Sequence, residues 1–452
     1  MFIARPYQIE DLATLMKNPR HLEGQDPGCG KTYIAAMFTQ YILDSTNERV
    51  VWTMPGGIMA KNQRDILFST KLQPEQVVIV QGGPAKRQEI YNNPAVKVFL
   101  MTGVTYSNEW ALLPSDVRHS FHDEIHLYYT TYDSRKTKQT RTGEWFRACK
   151  NKGAIVPMTG TFIRGRLDSA YPICHVLAPW AYGNDRTFLN HHAVFDENGG
   201  VIGWKNHERL RQVSERFGTF RSFKSVYGEE KKVFECHRFK LSKAVQKAYD
   251  KLKATGLLEL TDEFVDSQNP AVNAMRCRQL MAAPELFELA EETEKDANIR
   301  VDVENHLKTG ERLAIFSPIT AEQLRVVRII KSLGGIVGHI NGTVSNVERQ
   351  RIDQEFCAGN LQFVVASPQT AGIGFSWNFL NLIIYPSIEY TDDSLVQSYR
   401  RGIRGTRETP LRVKLLKYED TIEDRIWQIV DRKNRDYQQI NPGIELLNIS
   451  ML

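Results

Sequence analysis

Seven consecutive residues, Asp26-Pro27-Gly28-Cys29-Gly30-Lys31-Thr32, have the makings of an anion cradle. Glycine lets successive backbone N–H groups turn toward one oxygen-rich guest, and a helix start adds partial positive charge there. Ile34, Ala35, Phe38, Tyr41 and Ile42 follow at helical spacing, so the loop opens a helix. In such a loop Lys31 reaches the outer phosphates of a nucleoside triphosphate and the Thr32 hydroxyl ligates Mg2+. Gln25 stands where the general pattern has glycine. The competing reading, a glycine turn before an ordinary helix, leaves Gly-Lys-Thr at a helix start as coincidence.

Cleaving such a guest needs one carboxylate to hold the metal and a second to orient and deprotonate water. Asp123-Glu124-Ile125-His126, which begins 92 positions after Lys31, offers Asp123 for the first role and Glu124 for the second. In the stretch just before it only Phe121 has the apolar character of a buried strand. Two rival readings remain: a surface acidic turn, or His122 and His126, four apart, as metal ligands on a helix.

Residues so far apart in the chain meet only if a regular scaffold brings them together. Val50–Thr53, Val77–Val80, Val96–Met101 and Ile155–Met158 are short apolar runs alternating with helical patterns, which predicts a parallel sheet covered on both faces. The alternation returns in Leu313–Phe316, Ile336–Ile340, Phe363–Ala366 and Leu382–Tyr385. The expected fold class is therefore α/β, with lobes at 1–165 and 306–452. Between them, 166–305 reads as a helical insertion and linker, with Leu241, Ala244, Val245, Ala248, Tyr249 and Leu252 on one helical face.

The chain has 452 residues, 42% hydrophobic and 25% charged, which excludes disordered and collagen-like classes. No apolar run has the length of a membrane span and the start lacks a signal-peptide pattern, so a membrane partner is not expected. Six scattered cysteines point to a reducing, cytoplasmic-type compartment, bacterial or in a virus-infected host cell. Lys plus Arg exceed Asp plus Glu by 58 to 53, which permits a polyanionic partner without requiring one.

With the phosphate loop and Asp-Glu-x-His in order, the chain resembles superfamily 2 DExH-box helicases, and further stretches narrow this toward Swi/Snf-type DNA translocases. Arg5-Pro6-Tyr7-Gln8 looks like that family's adenine-recognition segment, implying that Gln8 and Arg5 bind the nucleotide. Thr159-Gly160-Thr161 resembles its coupling motif between nucleotide and nucleic acid, with His126 as a further coupling residue. Leu241–Tyr249 and Arg276–Pro284 are similar to two of its helical segments, each imperfectly. Ile340-Asn341-Gly342 with Glu348-Arg349-Gln350, then Thr370–Ser376 with Gly372 and Gly374, match second-lobe motifs. Gln397-Ser398-Tyr399-Arg400-Arg401-Gly402-Ile403-Arg404-Gly405 matches the last, one residue short.

The resemblance implies two RecA-like lobes, ATP and Mg2+ as cofactors, and Arg401 and Arg404 as cationic clamps on the transferring phosphate. Gln397, Gly372 and Gly374 join the nucleotide set. By motif position Lys61, Thr102, Thr105, Ser317 and Thr370 contact the nucleic acid. The implied activity is an ATP-dependent helicase or translocase, monomeric, binding duplex, forked or branched DNA without reading its sequence. An RNA helicase and a non-catalytic nucleic-acid-binding scaffold are the alternatives. Arg135–Arg141 carries four positive charges and no acid, and is either a solvated face or a duplex contact. About 50 residues separate Ser317 from Ser367, too few for the insertion of large remodellers, so the compact form is similar to viral or bacterial fork-remodelling and branch-migration helicases.

Overall fold

The computed structural model describes residues 2–130, 132–134, 140–163, 166–255, 257–259, 264–266, 270–289, 292–371, 375–390, 393–403 and 407–440. The chain divides into two compact units, principally Met1–Gly228 and Glu229–Asn434.

In the first unit six strands, β1 (Leu22–Gln25), β2 (Arg49–Thr53), β3 (Val77–Ile79), β4 (Val98–Met101), β5 (Val117–Asp123) and β6 (Ile155–Met158), pair in the order β3-β4-β2-β5-β6-β1. Gly218–Arg221 adds a seventh strand beside β1, and every pairing is parallel. The intervening helices are α1 (Pro6–Lys17), α2 (Lys31–Ser45), α3 (Met59–Ser69), α4 (Pro84–Asn92), α5 (Gly103–Glu109) and α6 (Arg141–Cys149).

Strand β5 carries the acidic pair, and its polar sequence is accommodated by internal bonding. Alternation sends Phe121 to one face, stacked on Trp52 at 5.1 Å and met edge-on by Phe38 at 5.9 Å. His122 points to the other face, fully buried, bonded to Thr53 Oγ1 at 2.8 Å and accepting from the Trp145 indole at 3.0 Å. Burial pushes its pKa down to about 3, so it sits there as neutral imidazole. His119 bonds Glu48 at 2.7 Å. The helical His122/His126 reading is thereby corrected: His122 lies in a strand and is spent inside the core.

The second unit has six parallel strands in the order Lys232–Phe239, Leu411–Tyr418, Leu382–Tyr385, Leu313–Phe316, Phe363–Ala366 and Val337–Ile340. The helix Lys243–Thr255 buries Val245, Ala248, Tyr249 and Leu252 of the predicted face, while Ala244 is exposed and Leu241, before the helix, is half-buried.

The expected middle segment, 166–305, is shared between the units. Gly218–Arg221 pairs with all four residues of β1, whereas Lys232–Phe239 pairs along its whole length with Leu411–Tyr418. A buried cluster secures the second start: Glu230 pairs with Arg400 at 2.7 Å and with Lys232, whose ammonium also reaches Tyr399 at 3.2 Å. All six cysteines are free thiols. Among the described residues no helix is long and apolar enough to cross a membrane.

The pairing of β1 with Gly218–Arg221 needs a residue without a side chain. A Cβ on Gly24 would lie 2.5 Å from Phe220 Cδ1 and 2.6 Å from Cε1. Gly24→Ala should destabilise the first unit by about 1–3 kcal/mol through overpacking, with Phe220→Leu restoring part of the loss. Denaturant unfolding of the two variants and their combination measures this, and a Gly24→Ala protein as stable as the parent would refute the contact.

Candidate nucleotide-binding site

The phosphate loop joins β1 to α2, so its backbone donors lie at the carboxyl edge of the sheet and the amino end of a helix. Gly28 and Gly30 adopt left-handed φ of 92° and 83°, which a side chain would strain. A Cβ on Gly30 would also strike the Gln8 side-chain amide. Gln8 Oε1 accepts from the Arg5 N–H at 2.9 Å at the start of α1, while its amide nitrogen lies against the loop. The residues of the expected adenine segment and the loop therefore meet.

Lys31 is buried, and its ammonium donates to the carbonyls of Gln25 at 2.7 Å and Asp26 at 3.3 Å. The Gln25 side chain explains why glycine is absent at that position. Its amide donates to Asp11 at 2.9 Å and to Glu23 at 2.5 Å beneath the loop. Asp11 in turn forms a two-pronged pair with Arg221, with contacts of 2.6 and 2.8 Å. Complete burial, and then the neighbouring Asp11 charge, raise the Glu23 pKa well above its ordinary value.

Three further groups clamp the loop, two of them outside the motif reading. Phe223 N–H donates to Asp26 Oδ2 at 2.8 Å, Tyr227 Oη to the Gly28 carbonyl at 3.0 Å and Tyr7 Oη to the Cys29 carbonyl at 2.8 Å. The Arg5 guanidinium lies over the Tyr227 ring at 4.6 Å. Phe223 and Tyr227 come from a stretch almost 200 residues away, and no local spacing marks them.

Asp123 ends β5 with its carboxylate accepting from Asn62 Nδ2 at 2.9 Å and from the Glu124 N–H at 3.1 Å. Burial chiefly, with Glu124 beside it, raises the Asp123 pKa, while Lys31 and Asn62 pull it down. Glu124 has φ 48°, a left-handed value uncommon for a non-glycine residue. His126 Nδ1 bonds Thr159 Oγ1 at 2.8 Å and lies 3.4 Å from Glu124. The same Thr159 oxygen accepts from the Thr161 N–H at 2.8 Å, and a Cβ on Gly160 would sit 2.8 Å from Pro27 in the phosphate loop. Loop, acidic box and Thr-Gly-Thr are thus in one contact network.

The residues present fit Mg2+ by their donor chemistry, since the Asp123 carboxylate and the Thr32 hydroxyl are hard oxygen ligands. The raised proton affinity of Asp123, buried and beside Glu124, is also what a divalent cation would relieve.

Other predicted residues are placed singly. Lys61, a third exposed, pairs with Asp65 at 2.5 Å, and Thr102 caps α5 by accepting from the Thr105 N–H at 3.0 Å. Ser317 requires a correction: it is fully buried, its hydroxyl donating to Glu322 at 2.5 Å, so it serves the interior of the second unit instead of a nucleic-acid phosphate. Thr370 lies half-buried in the turn of helix Pro368–Ala371, and Gln397 half-buried in helix Asp393–Tyr399. Arg401 is buried and donates to the Phe375 carbonyl at 3.3 Å. Arg404, Gly372 and Gly374 lie outside the described residues, as do Arg135–Gln139 of the basic run.

The two parallel-sheet units are RecA-like lobes, the first bearing the phosphate loop and the acidic box. No family model matches the chain. Over 460 residues it is 23% identical to Chromodomain-helicase-DNA-binding protein 1-like of Danio rerio, covering 94% of this chain and 42% of that protein. Over 377 residues it is 22% identical to the uncharacterized ATP-dependent helicase MG018 of Mycoplasma genitalium, covering 79% of this chain and 34% of that protein. The chain thus spans less than half the length of these curated relatives. The fold matches the crystal structure of the Pyrococcus furiosus Hef helicase domain with TM-score 0.55 at 16% identity, covering 94% of this chain and 97% of that one. In sequence the chain is thus similar to ATP-dependent helicases, and in fold to a helicase domain.

Asn62 is the group that motif reading missed and that touches the acidic box most directly. Asn62→Ala removes one of the donors holding Asp123 and should weaken Mg2+-dependent nucleotide binding by about 10–100-fold, the usual effect of losing a residue that orients a metal ligand. Titrating nucleotide binding with Mg2+ tests this, with binding in EDTA expected to change little.

Proposed function

We propose that the chain is an ATP-dependent DNA translocase or helicase that hydrolyses ATP to move along and remodel duplex, forked or branched DNA. The observation that carries this reading is the single contact network from Lys31 and the phosphate loop through Asp123 and Glu124 to His126 and Thr159. A mere glycine turn has no need of a buried lysine, an acidic pair and a threonine motif meeting there.

In this mechanism the loop N–H groups and Lys31 bind the phosphates, Lys31 exchanging its loop carbonyls for phosphate oxygens. Gln8 and Arg5 flank the loop on the side where a base would lie. Asp123 and Thr32 would hold Mg2+, which neutralises charge building on the transferring phosphate. Glu124 takes the proton of the attacking water, with His126 beside it to orient the carboxylate. Thr159 shares that histidine, so the position of Glu124 and that of the Thr-Gly-Thr turn are linked. Arg401 stabilises the phosphate charge once it leaves the Phe375 carbonyl, and Arg404 shares that role.

Lys61, Thr102, Thr105 and Thr370 are the proposed nucleic-acid contacts, to phosphates and not bases, which makes binding sequence-independent. DNA is favoured over RNA because the Danio rerio relative is named as DNA-binding.

ATP turnover should rise with duplex, forked or branched DNA and fall to background in Lys31→Ala. Glu124→Gln should retain ATP binding and lose hydrolysis by roughly 10²–10⁴-fold, the range for removing a general base. Turnover unchanged by any DNA, or stimulated by RNA alone, would overturn the DNA reading. Near-normal turnover in Glu124→Gln would overturn the assignment of the base.

A further inference from the structure

A second cavity, of about 800 Å3, opens at the far end of the first sheet. Its walls come from the turn before β5 and the turn before β6, whereas Asp123 and the phosphate loop lie beyond the carboxyl ends of the strands. Along β5 that separation is about 20 Å at ~3.4 Å per residue, so one small guest cannot span both sites.

The lining has a definite chemistry. Arg118, Arg147, Lys150 and Lys152 contribute four cationic side chains, and no carboxylate lines the cavity. Trp110, Leu113 and Pro114 form an apolar wall, with Val117 and Ala148 buried at the base. Three acids stand near the wall: Glu144, paired with Arg147 and accepting the Trp110 indole N–H at 3.0 Å; Glu48, 3.9 Å from Arg118; and Asp116, between Ser115 and Val117, which Arg49 neutralises at 2.8 Å. Even against these, the cavity keeps two positive charges in excess. Lys150 is exposed, and Lys152 is held half-buried with its ammonium on the Val117 carbonyl. Burial pushes the Lys152 pKa down to about 8, a cost that a bound anion would relieve.

We propose that this cavity binds a nucleotide unit, its phosphate on Lys150, Lys152 and Arg118 and its base or sugar along the Trp110, Leu113 and Pro114 wall. The volume lies in the range of small-molecule sites and far exceeds what inorganic phosphate fills. Cations paired with an aromatic-lined wall match a guest that is anionic at one end and planar at the other. The nucleotide unit has two sources, a free nucleotide or one residue of a nucleic-acid strand lying along this end of the lobe.

The test uses the full chain carrying Lys31→Ala, which silences phosphate binding at the first site, so its outcome does not depend on ATP hydrolysis. ADP is titrated by calorimetry and a short 5′-phosphorylated single-stranded DNA by fluorescence anisotropy. Arg118→Glu with Lys150→Glu changes only exposed side chains, and Lys308→Glu with Lys331→Glu, both exposed on the second lobe, controls for the same change of net charge. Losing charge-assisted contacts should weaken binding by about tenfold or more. Loss for ADP supports the proposal with a free nucleotide as guest, and loss for DNA alone supports it with a strand as guest. Loss for neither probe, or an equal loss in Lys308→Glu with Lys331→Glu, overturns it. Mass-spectrometric footprinting of lysine amines gives a second reading: the bound probe should protect Lys150 and Lys152, and unchanged labelling of both counts against the site.

Discussion

A buried ammonium at the rim of an apolar sheet is the constraint around which the first lobe is arranged. Taking a charge out of water costs several kcal/mol unless hydrogen bonds replace the lost solvent. Lys31 obtains them from the Gln25 and Asp26 carbonyls. Those carbonyls converge because Gly28 and Gly30 turn the chain through left-handed conformations. Gln25 is itself pinned by Asp11 and Glu23, and Asp11 by Arg221 on the neighbouring strand. The lysine is therefore held in place by partners reaching back from Gln25 to Arg221.

The same lobe stores strain where chemistry is expected. A non-glycine residue held at positive φ costs of order 1–3 kcal/mol and persists only when its surroundings over-determine it. Glu124 is so determined: its N–H is tied to Asp123, its carboxylate approaches His126, and His126 is fixed by Thr159. Gly160 follows, close enough to Pro27 that a methyl group would not fit. The phosphate loop is thus in contact with the Thr-Gly-Thr turn, which is joined by one hydrogen bond to the histidine beside Glu124.

How much of this was legible in the sequence depends on how local each signal is. Ile155–Met158, Leu313–Phe316, Phe363–Ala366 and Leu382–Tyr385 are strands over the spans their apolar runs predict, because a doubly covered parallel strand has to be apolar throughout. Strand β5 was nearly invisible, since His119, Ser120 and His122 are polar and are buried only by virtue of partners such as Glu48, Thr53 and Trp145. Lys232–Phe239 and Gly218–Arg221 hid inside a segment that reads as helical because pairing with distant strands, not their own pattern, makes them strands. The phosphate loop and acidic box were readable as local strings. Asn62, Phe223 and Tyr227 were not, because what defines them is a contact made after folding.

The second lobe shows why a motif locates a segment better than it assigns a side chain. Ser317 ends a strand where a phosphate contact was expected, yet Glu322 is buried beneath it and takes the hydroxyl, as well as that of Ser387 at 3.0 Å. A buried carboxyl without such donors would cost more than a surface contact returns. The lobe is dense with obligations of this kind: Lys295 with Glu423 at 2.8 Å, Arg325 with Asp296 at 2.5 Å, Arg400 with Glu230 at 2.7 Å. Each partner is needed because the other is buried, so removing one would leave an uncompensated charge. Polar residues in such a lobe are therefore tied to cohesion by what lies within hydrogen-bonding distance, and neighbours in sequence find different partners: Arg400 pairs with Glu230, while Arg401 donates to the Phe375 carbonyl.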